Sequence, residues 1–592
     1  VSELVVTAAS ARQLRERLGN LAEGEPFGFD TEASGPLLPS GKMINVHRSE
    51  LTGMSFAFSD GYACYVPVAH AWGNLAYSEV RAVLEALGDT RGRCVVHGLK
   101  HEDHMSRRGS YALPAHVMCT LLLSWIQDRG GGGKKPHGLK SLARAHLGEE
   151  PQDFEHVSRG RQWRDVDPAD ALQYATDDAK NTLRLFQHLG DVPADHPLYA
   201  TELPFARLLA NMERRGVRFH TSEAFELSAT LATRRQQTME EWWWTFPDVS
   251  PSSGQQLQRL FGGPWGTAGV PRTKTGLYST SAATMGLLST HPDSTEEGRR
   301  GARLRLEYQE ANTLLSTYLA PISIFASLHA DGRIRPEALQ HGTRTGRISM
   351  TSPTLMNIPV RTEMGRQVMS LFMAAPGCKL VAGDFSQVEL AILAHYAGPG
   401  RLMTALLEGR DMHDFLGAQV GINRAGAKTL QYAHIYGSGP RKLAAVLHSD
   451  VDIARRAFDA YRRLFPEVPR AVQRAIQAVR DRGYARTLGG KVRHLPDIDS
   501  SDWRLRGAAE RIAVNTPIQG ASGYITKLAM LRAEAAGVPC ILQVHDSIVA
   551  EVPAREAEDA RVALQEAMRG AMMLRVPLRV EAKTGDTLVD VK

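Results

Sequence analysis

Residues 540–552 read CILQVHDSIVAEV, two apolar runs broken by His545 and Asp546. The pattern predicts two strands joined by a tight turn, with Asp546 at the turn. Working back along the chain, CKLVAGD at 378–384 is another short apolar strand that ends in Asp384 and runs into a helix beginning SQVELAILAHYA. The two aspartates lie 162 residues apart, so they meet only if the largely helical, Arg-rich segment between them is an excursion from one sheet. Magnesium takes oxygen ligands, usually one or two carboxylates plus substrate phosphates, and two such ions can stabilise both the attacking and the leaving oxygen of a phosphoryl transfer. Aspartates at the ends of neighbouring strands suit that chemistry, although an isolated His-Asp pair is more often structural.

Inside the excursion, RAGAKTLQYAHIYG (424–437) places Arg424, Lys428, Tyr432 and Tyr436 four residues apart. On an α-helix that spacing forms one slowly winding stripe. A solvated basic face accounts for the two cations but not for two tyrosines on the same line. A triphosphate accounts for all four, since cations neutralise its oxygens and an aromatic ring offers a flat surface to base and sugar.

These stretches, DFSQVELAILAHYA, RAGAKTLQYAHIYG and ILQVHDSIVAEV, resemble the three polymerase motifs of family-A DNA polymerases, the group of bacterial DNA polymerase I and many phage replicases. TGRISMTSPTLMNIPVRTEMGR, GRDMHDF, GYARTLGGKVRHLPDI and ERIAVNTPIQGAS are similar to further family stretches, in the same order, and the likeness runs over about residues 200 to 592. It implies that Asp384 and Asp546 hold two catalytic Mg2+ ions, with Mn2+ as a substitute, and that Lys428 acts beside them. Arg424, Lys428 and His413 would meet the triphosphate, with Tyr432, Tyr436 and Gln387 around the nucleotide and Glu389 excluding a ribose 2′-hydroxyl. Arg347, Arg361, Arg511, Asn515, Gln519, Gln543 and His545 would lie along primer and template. Donors of this kind can test pair geometry through the minor-groove acceptors common to all base pairs. The chain departs from the family pattern at Ala391, Met356 and Ser547, none of which is an implied metal ligand.

The first half reads as alternating strands and helices. Asp30 and Glu32 in FGFDTEASG stand two apart at the end of a strand and so share a face, while Tyr174 and Asp178 in YATDDAK are one helical turn apart. The pairs resemble the first and third motifs of 3′→5′ exonucleases that use four carboxylates and a tyrosine, which implies Asp30, Glu32 and Asp178 as metal ligands and Tyr174 as a catalytic group. HGLKSLARAHLG (137–148) looks like a segment between those motifs. The second motif is irregular: VHGLKHEDHM offers Gly98 where the family has Asn and Glu102 where it has Asp. A misplacement of about 1 Å can cost about 100-fold in rate, so an active exonuclease and an inactive scaffold both stand.

The implied fold is multidomain, α/β and α+β. A ribonuclease H-like exonuclease domain (1–190) precedes a right-hand polymerase: thumb and linker (191–338), first palm part (339–398), fingers (399–505) and second palm part (506–592). Gly130–Gly133 reads as a flexible loop and GDVPADHPLY (190–199) as a linker. The 592 residues carry a net charge of +6, compatible with a polyanionic partner but too small to demonstrate one. Five cysteines without a CxxC pair argue against a disulfide framework and a zinc site. No apolar run suits a membrane span, and the expected location is the cytoplasm, or the host cytoplasm or nucleoid for a phage-encoded chain. Primer-template DNA and dNTPs are the expected partners of a monomer, with replisome proteins (helicase-primase, single-strand binding protein) as further ones. With no 5′-nuclease segment and no large thumb insertion, the layout suggests a stand-alone phage-type replicase. A nuclease with a decayed polymerase domain would be expected to lack Asp384, Asp546 or Lys428, and a non-catalytic binding protein would not require the carboxylates or Tyr432.

Overall fold

The computed structural model describes residues 3–39, 41, 44–130, 135–193, 195–267, 270–273, 275–359, 362–436, 439–447 and 449–592, without the side chains of residues 435, 436, 442, 445 and 446. Arg361, the side chain of Tyr436 and the glycine run from Gly131 onward therefore lie outside the described residues.

Strands β1 (Glu3–Val5), β2 (Pro26–Ser34), β3 (Glu50–Ala57), β4 (Ala63–Pro67), β5 (Arg93–Val96) and β6 (Val117–Cys119) form one mixed sheet in the order β1-β4-β3-β2-β5-β6. In β2 the alternate residues Phe27, Phe29 and Thr31 are buried on one face, which leaves Asp30 and Glu32 together on the other. The sequence put this pair at a strand end. It lies within the strand instead, because pairing with β3 continues through Ser34 with a bulge between Glu32 and Ala33. The helix Pro168–Leu189 crosses that face. It comes so close at Gly28 that a β-carbon there would stand 2.2 Å from the Ala179 carbonyl oxygen. Glycine at position 28 is what lets the helix bring Tyr174 and Asp178 down onto Asp30 and Glu32.

The helices Leu203–Arg215, Thr221–Thr245 and Glu296–Thr313 dominate the next stretch, as its three- and four-residue apolar spacing predicts. Its far end has a small core of its own around Trp242, Phe246 and Trp265. Strands β7 (Val217–Phe219), β8 (Arg333–Ile334), β9 (Glu337–Leu339), β10 (Ser349–Thr351) and β11 (Phe372–Met373) follow, with β9 and β10 paired as a hairpin.

Strand β12 (Cys378–Ser386) is the centre of the second large sheet. Helices 388–397 to 467–482 come next, then the hairpin of β13 (Tyr484–Arg486) and β14 (Val492–His494) and the long helix Trp503–Ala535. The chain returns to the sheet as β15 (Cys540–Val544), β16 (Ser547–Pro553) and β17 (Arg579–Gly585), giving the order β15-β16-β12-β17. The segment between the two aspartates is thus the expected excursion. Registers Asp384↔Ser547 and Asp384↔Glu581 fix which residues share the end of this sheet. Among the described residues no helix is long and apolar enough to cross a membrane, and all five cysteines are free.

Candidate active sites

At the end of the second sheet, the turn between β15 and β16 is tight enough to put His545 at φ +57°, and it leaves Asp546 beside Asp384. The Phe385 amide donates to the Asp546 carbonyl at 3.3 Å, so the two aspartates are tied through the backbone. Ser522 Oγ donates to Asp546 Oδ1 at 3.0 Å. The Asp384 carboxyl opens into a cavity, yet loss of water raises it above its ordinary range, as do the charges of Asp546 and Glu581, while Lys592 opposes the rise. Such a cluster of hard oxygen donors with a surplus of negative charge suits a divalent cation.

The cavity holds about 810 Å³ and is lined by Asp384, Gln387, Glu389, His413, Arg424, Lys428, Tyr432 and Asp546, with Asp411, Arg569, Arg579 and Glu581 among its other walls. Three members of the predicted stripe therefore face the two aspartates across one space. The helix Arg424–Tyr436 is held there by Gln431, which bonds His413 Nδ1 at 2.5 Å and donates to the Met412 carbonyl at 3.1 Å. Asp411 caps the helix Met412–Val420, accepting from the amides of His413 and Asp414 at 2.8 and 3.0 Å. It also accepts from Arg424 Nη2 at 2.9 Å. Sequence reasoning missed Asp411, whose signal was the cap pattern in DMHD. Glu581 and Arg579 carried no local signal, since only strand register brings them in.

Glu389 is buried and takes a 2.5 Å hydrogen bond from Arg347, which also lies 3.8 Å from Asp546. Arg511, Asn515 and Gln519 recur at four-residue spacing on the helix Trp503–Ala535. The oxygens Asn515 Oδ1 and Gln543 Oε1 are buried without a hydrogen-bond partner, although buried amides are nearly always paired. Gln543 donates its Nε2 to the His545 carbonyl. Of the departures, Ala391 is buried and Ser547 sits opposite Asp384.

In the N-terminal sheet, ligand atoms of Asp30, Glu32 and Asp178 all lie within 4.8 Å of one another. Glu102 is buried at the edge of this group, and its Oε2 accepts from Thr31 Oγ1 at 2.9 Å rather than joining the three. Asp103, its neighbour, is drawn off by Arg214 at 2.7 Å. Burial pushes the Glu102 carboxyl up to about 8 against the opposing Thr31 hydrogen bonds, and burial pushes Asp178 up to about 6 with Lys140 opposing. Asp30 and Glu32 are raised by burial and by their acidic neighbours. Tyr174 is wedged against Trp163, with ring centroids 5.2 Å apart, and Lys140 Nζ stands 4.7 Å over its ring. Lys140, inside HGLKSLARAHLG, is the cation the sequence did not single out.

A second group, His47, His104 and Glu213, is equally tight but already satisfied. Glu213 accepts from Lys100 at 2.6 Å, the Ala338 amide at 2.7 Å and His104 at 2.8 Å. Burial would raise its carboxyl, yet the Lys100 charge and His104 hold it down to about 2. This network joins the two halves of the molecule.

Comparison with known proteins finds two family matches along the chain. A model of DNA polymerase family A matches residues 221–590, and a 3′-5′ exonuclease model matches residues 5–192. DNA polymerase I of Chloroflexus aurantiacus is 32% identical over 616 residues, covering 98% of this chain and 63% of the relative. DNA polymerase I of Pseudomonas aeruginosa is 30% identical over 603 residues, covering 96% and 64%, and the thermostable DNA polymerase I of Thermus aquaticus is 34% identical over 406 residues, covering 66% and 48%. The chain thus spans about half to two thirds of the length of these curated relatives. Among solved structures, the POL domain of Pol1 from M. smegmatis in complex with DNA primer-template and dNTP matches with a TM-score of 0.84 at 25% identity, covering 100% of both chains.

Proposed function

The chain belongs to DNA polymerase family A and carries a 3′-5′ exonuclease domain, and we propose that it extends a DNA primer by templated addition of deoxynucleotides and removes nucleotides from the primer's 3′ end. One observation carries the first activity: a single cavity of about 810 Å³ sets Asp384 and Asp546 opposite Arg424, Lys428 and Tyr432.

Asp384 and Asp546 would hold divalent metal, Mg2+ or Mn2+, which when bound supplies charge stabilisation to the attacking and leaving oxygens. Arg424 and Lys428, with His413 beside them, bind the triphosphate and offset its charge as pyrophosphate leaves. Tyr432 packs on the incoming nucleotide, and the wall formed by Glu389, which Arg347 holds in place, crowds the sugar's 2′ position. Tyr436 and Gln387 complete the nucleotide's surroundings in this reading. Arg347, Arg361, Arg511, Asn515, Gln519, Gln543 and His545 follow the primer and template, and the buried, unpaired oxygens of Asn515 and Gln543 support a surface finished by another molecule.

In the exonuclease domain, Asp30, Glu32 and Asp178 would hold metal, with Glu102 beside them and Tyr174 orienting the attacking water. Their raised carboxyls support a site meant to receive positive charge. We divide the chain as exonuclease 1–190, thumb and linker 191–338, palm 339–398 and 506–592, and fingers 399–505, and place its work in the cytoplasm as a monomer. A role as a phage-type replicase, with helicase-primase or single-strand binding protein as partners, rests on domain layout alone, whereas the relatives named above are bacterial DNA polymerases I.

A primer-extension assay with Mg2+, each dNTP and a primed template tests the proposal. Extension that follows the template and stops with a chelator is expected, along with steep weakening of DNA binding by salt. Untemplated addition, or no addition, contradicts it.

A further inference from the structure

Arg347 lies in the loop of the β9–β10 hairpin, and a two-stranded hairpin is marginal without support from outside. One side is backed by the helix Trp503–Ala535, where Gly523 would bring a β-carbon within 3.2 Å of the Arg347 backbone. The other side is backed by the exonuclease domain. Trp125, in the helix Thr120–Ile126, is 2% exposed and donates its Nε1 hydrogen to the Thr343 carbonyl at 3.3 Å. Thr343 Oγ1 in turn donates to the Arg347 carbonyl at 2.7 Å. The indole also lies under Gly346, whose φ is +93° and where a β-carbon would be 3.8 Å from the ring.

Two ammonium groups hold this ring from the polymerase side. Lys491, just before β14, sits 4.4 Å from the ring centroid and donates to the Trp125 carbonyl at 2.5 Å. Lys527, on the long helix, sits 4.8 Å from the centroid and is fixed by Glu202 at 2.9 Å. Buried cation–ring contacts of this sort are among the stronger ones. The loop that carries Arg347 is therefore held between the long helix and a side chain of the other domain, with Glu389 and Asp546 at the tip of Arg347.

We propose that Trp125 is a positioning residue for polymerisation: acting through Thr343 and Gly346, it holds Arg347 where it discriminates a paired primer terminus from a mispaired one. The exonuclease domain would thus contribute to accuracy without cutting. This rests on the polymerase reading above.

The test measures single-nucleotide addition to matched and mismatched primer ends in chains carrying Asp30→Ala, so that cutting does not alter the ends. Templated extension by the Asp30→Ala parent checks the polymerase reading first, and its absence would fail that reading and this inference with it. With that in hand, Trp125→Leu is expected to lower the matched-to-mismatched ratio by about tenfold, within the range for a displaced positioning group. Trp125→Phe, which keeps a ring but loses the Nε1 hydrogen bond, should lower it by about threefold. In an Arg347→Ala background neither change should lower the ratio further, because both act through the same residue. Circular dichroism and DNA affinity establish folding, and Trp125→Phe decides the matter if Trp125→Leu does not fold. An unchanged ratio in the folded variant, or an equal loss with and without Arg347, overturns the proposal while leaving the polymerase reading intact.

Discussion

The two carboxylate centres solve the same electrostatic problem in different ways. At the end of the second large sheet, Asp384 and Asp546 open onto a cavity whose far wall carries Arg424 and Lys428, so positive charge from the protein faces the pair across that cavity. In the N-terminal sheet, Asp30, Glu32 and Asp178 crowd within 4.8 Å with Glu102 buried beside them and Lys140 in opposition. The first arrangement suits a charged substrate, whereas the second needs protons or metal even to tolerate its own charges.

The largest expected effect separates the centres outright. Asp384→Asn should cut nucleotide incorporation by about a thousandfold or more, since several kcal/mol of charge stabilisation would be lost. Binding of primer-template should stay within about threefold, because phosphate contacts set it. Quench-flow incorporation and a filter-binding titration read the two quantities. Trimming of a single-stranded 3′ end should be untouched.

The reciprocal change is Asp178→Ala, expected to lower trimming by about a hundredfold while extension stays as in the parent. Glu102→Asp belongs to the same experiment and should maintain or raise trimming. If the parent fails to trim with either Mg2+ or Mn2+, the N-terminal centre is a scaffold, and the comparison becomes one between a working site and a relic.

A smaller effect sharpens the account of the cavity. Tyr432 offers a ring and a hydroxyl, and the hydroxyl can satisfy hydrogen bonding left open by a nucleotide without a 3′-hydroxyl. Tyr432→Phe should therefore raise discrimination against dideoxynucleotides by about tenfold with little loss of ordinary synthesis. Glu389→Ala should instead admit ribonucleotides. Chain-termination ratios on one template measure the first and alkaline cleavage of the extended product the second, and equal termination ratios for parent and Tyr432→Phe would place the tyrosine away from the sugar.

The smallest effect concerns stability. Asp178 and Glu102, pushed up to about 6 and about 8, keep protons in the folded chain that carboxylates of about 4 release in the unfolded one. The folded state then binds more protons, so this contribution to stability is present in acid and lost as pH rises from about 4 through about 8. Without metal, the unfolding temperature of the exonuclease domain should fall as pH rises across that window. Mg2+ should restore it most at the alkaline end, and Glu102→Gln should flatten the slope. Calorimetry at several pH values with and without a chelator measures this.

How much the sequence disclosed differs between the centres for a physical reason. The palm cluster was legible because its residues follow apolar runs or sit on a stripe with a fixed period: CKLVAGD, VHD and the Arg424–Lys428–Tyr432 spacing announce themselves locally, although β12 runs two residues past the expected end at Asp384, to Ser386, because its pairing with β17 continues that far. Asp411 and Glu581, which complete the cavity, were hidden by a cap role and by strand register. In the N-terminal domain the pairs Asp30–Glu32 and Tyr174–Asp178 were readable from periods of two and four. The turning of Glu102 toward Thr31 and the arrival of Lys140 over Tyr174 were not, because each contact joins separate elements far apart along the chain. Trp125 reads as an ordinary apolar helix residue, and its contacts with Thr343 and Lys491 connect positions more than two hundred residues apart along the chain.

Both centres can be read on one gel. A primer labelled at its 5′ end, annealed to template, is followed on one gel with parent, Asp384→Asn and Asp178→Ala, in Mg2+ with and without dNTPs. The account predicts that Asp384→Asn only shortens the primer, that Asp178→Ala only lengthens it, and that the parent shortens it without dNTPs and lengthens it with them. Lengthening by Asp384→Asn, or loss of both reactions in either variant, would contradict it.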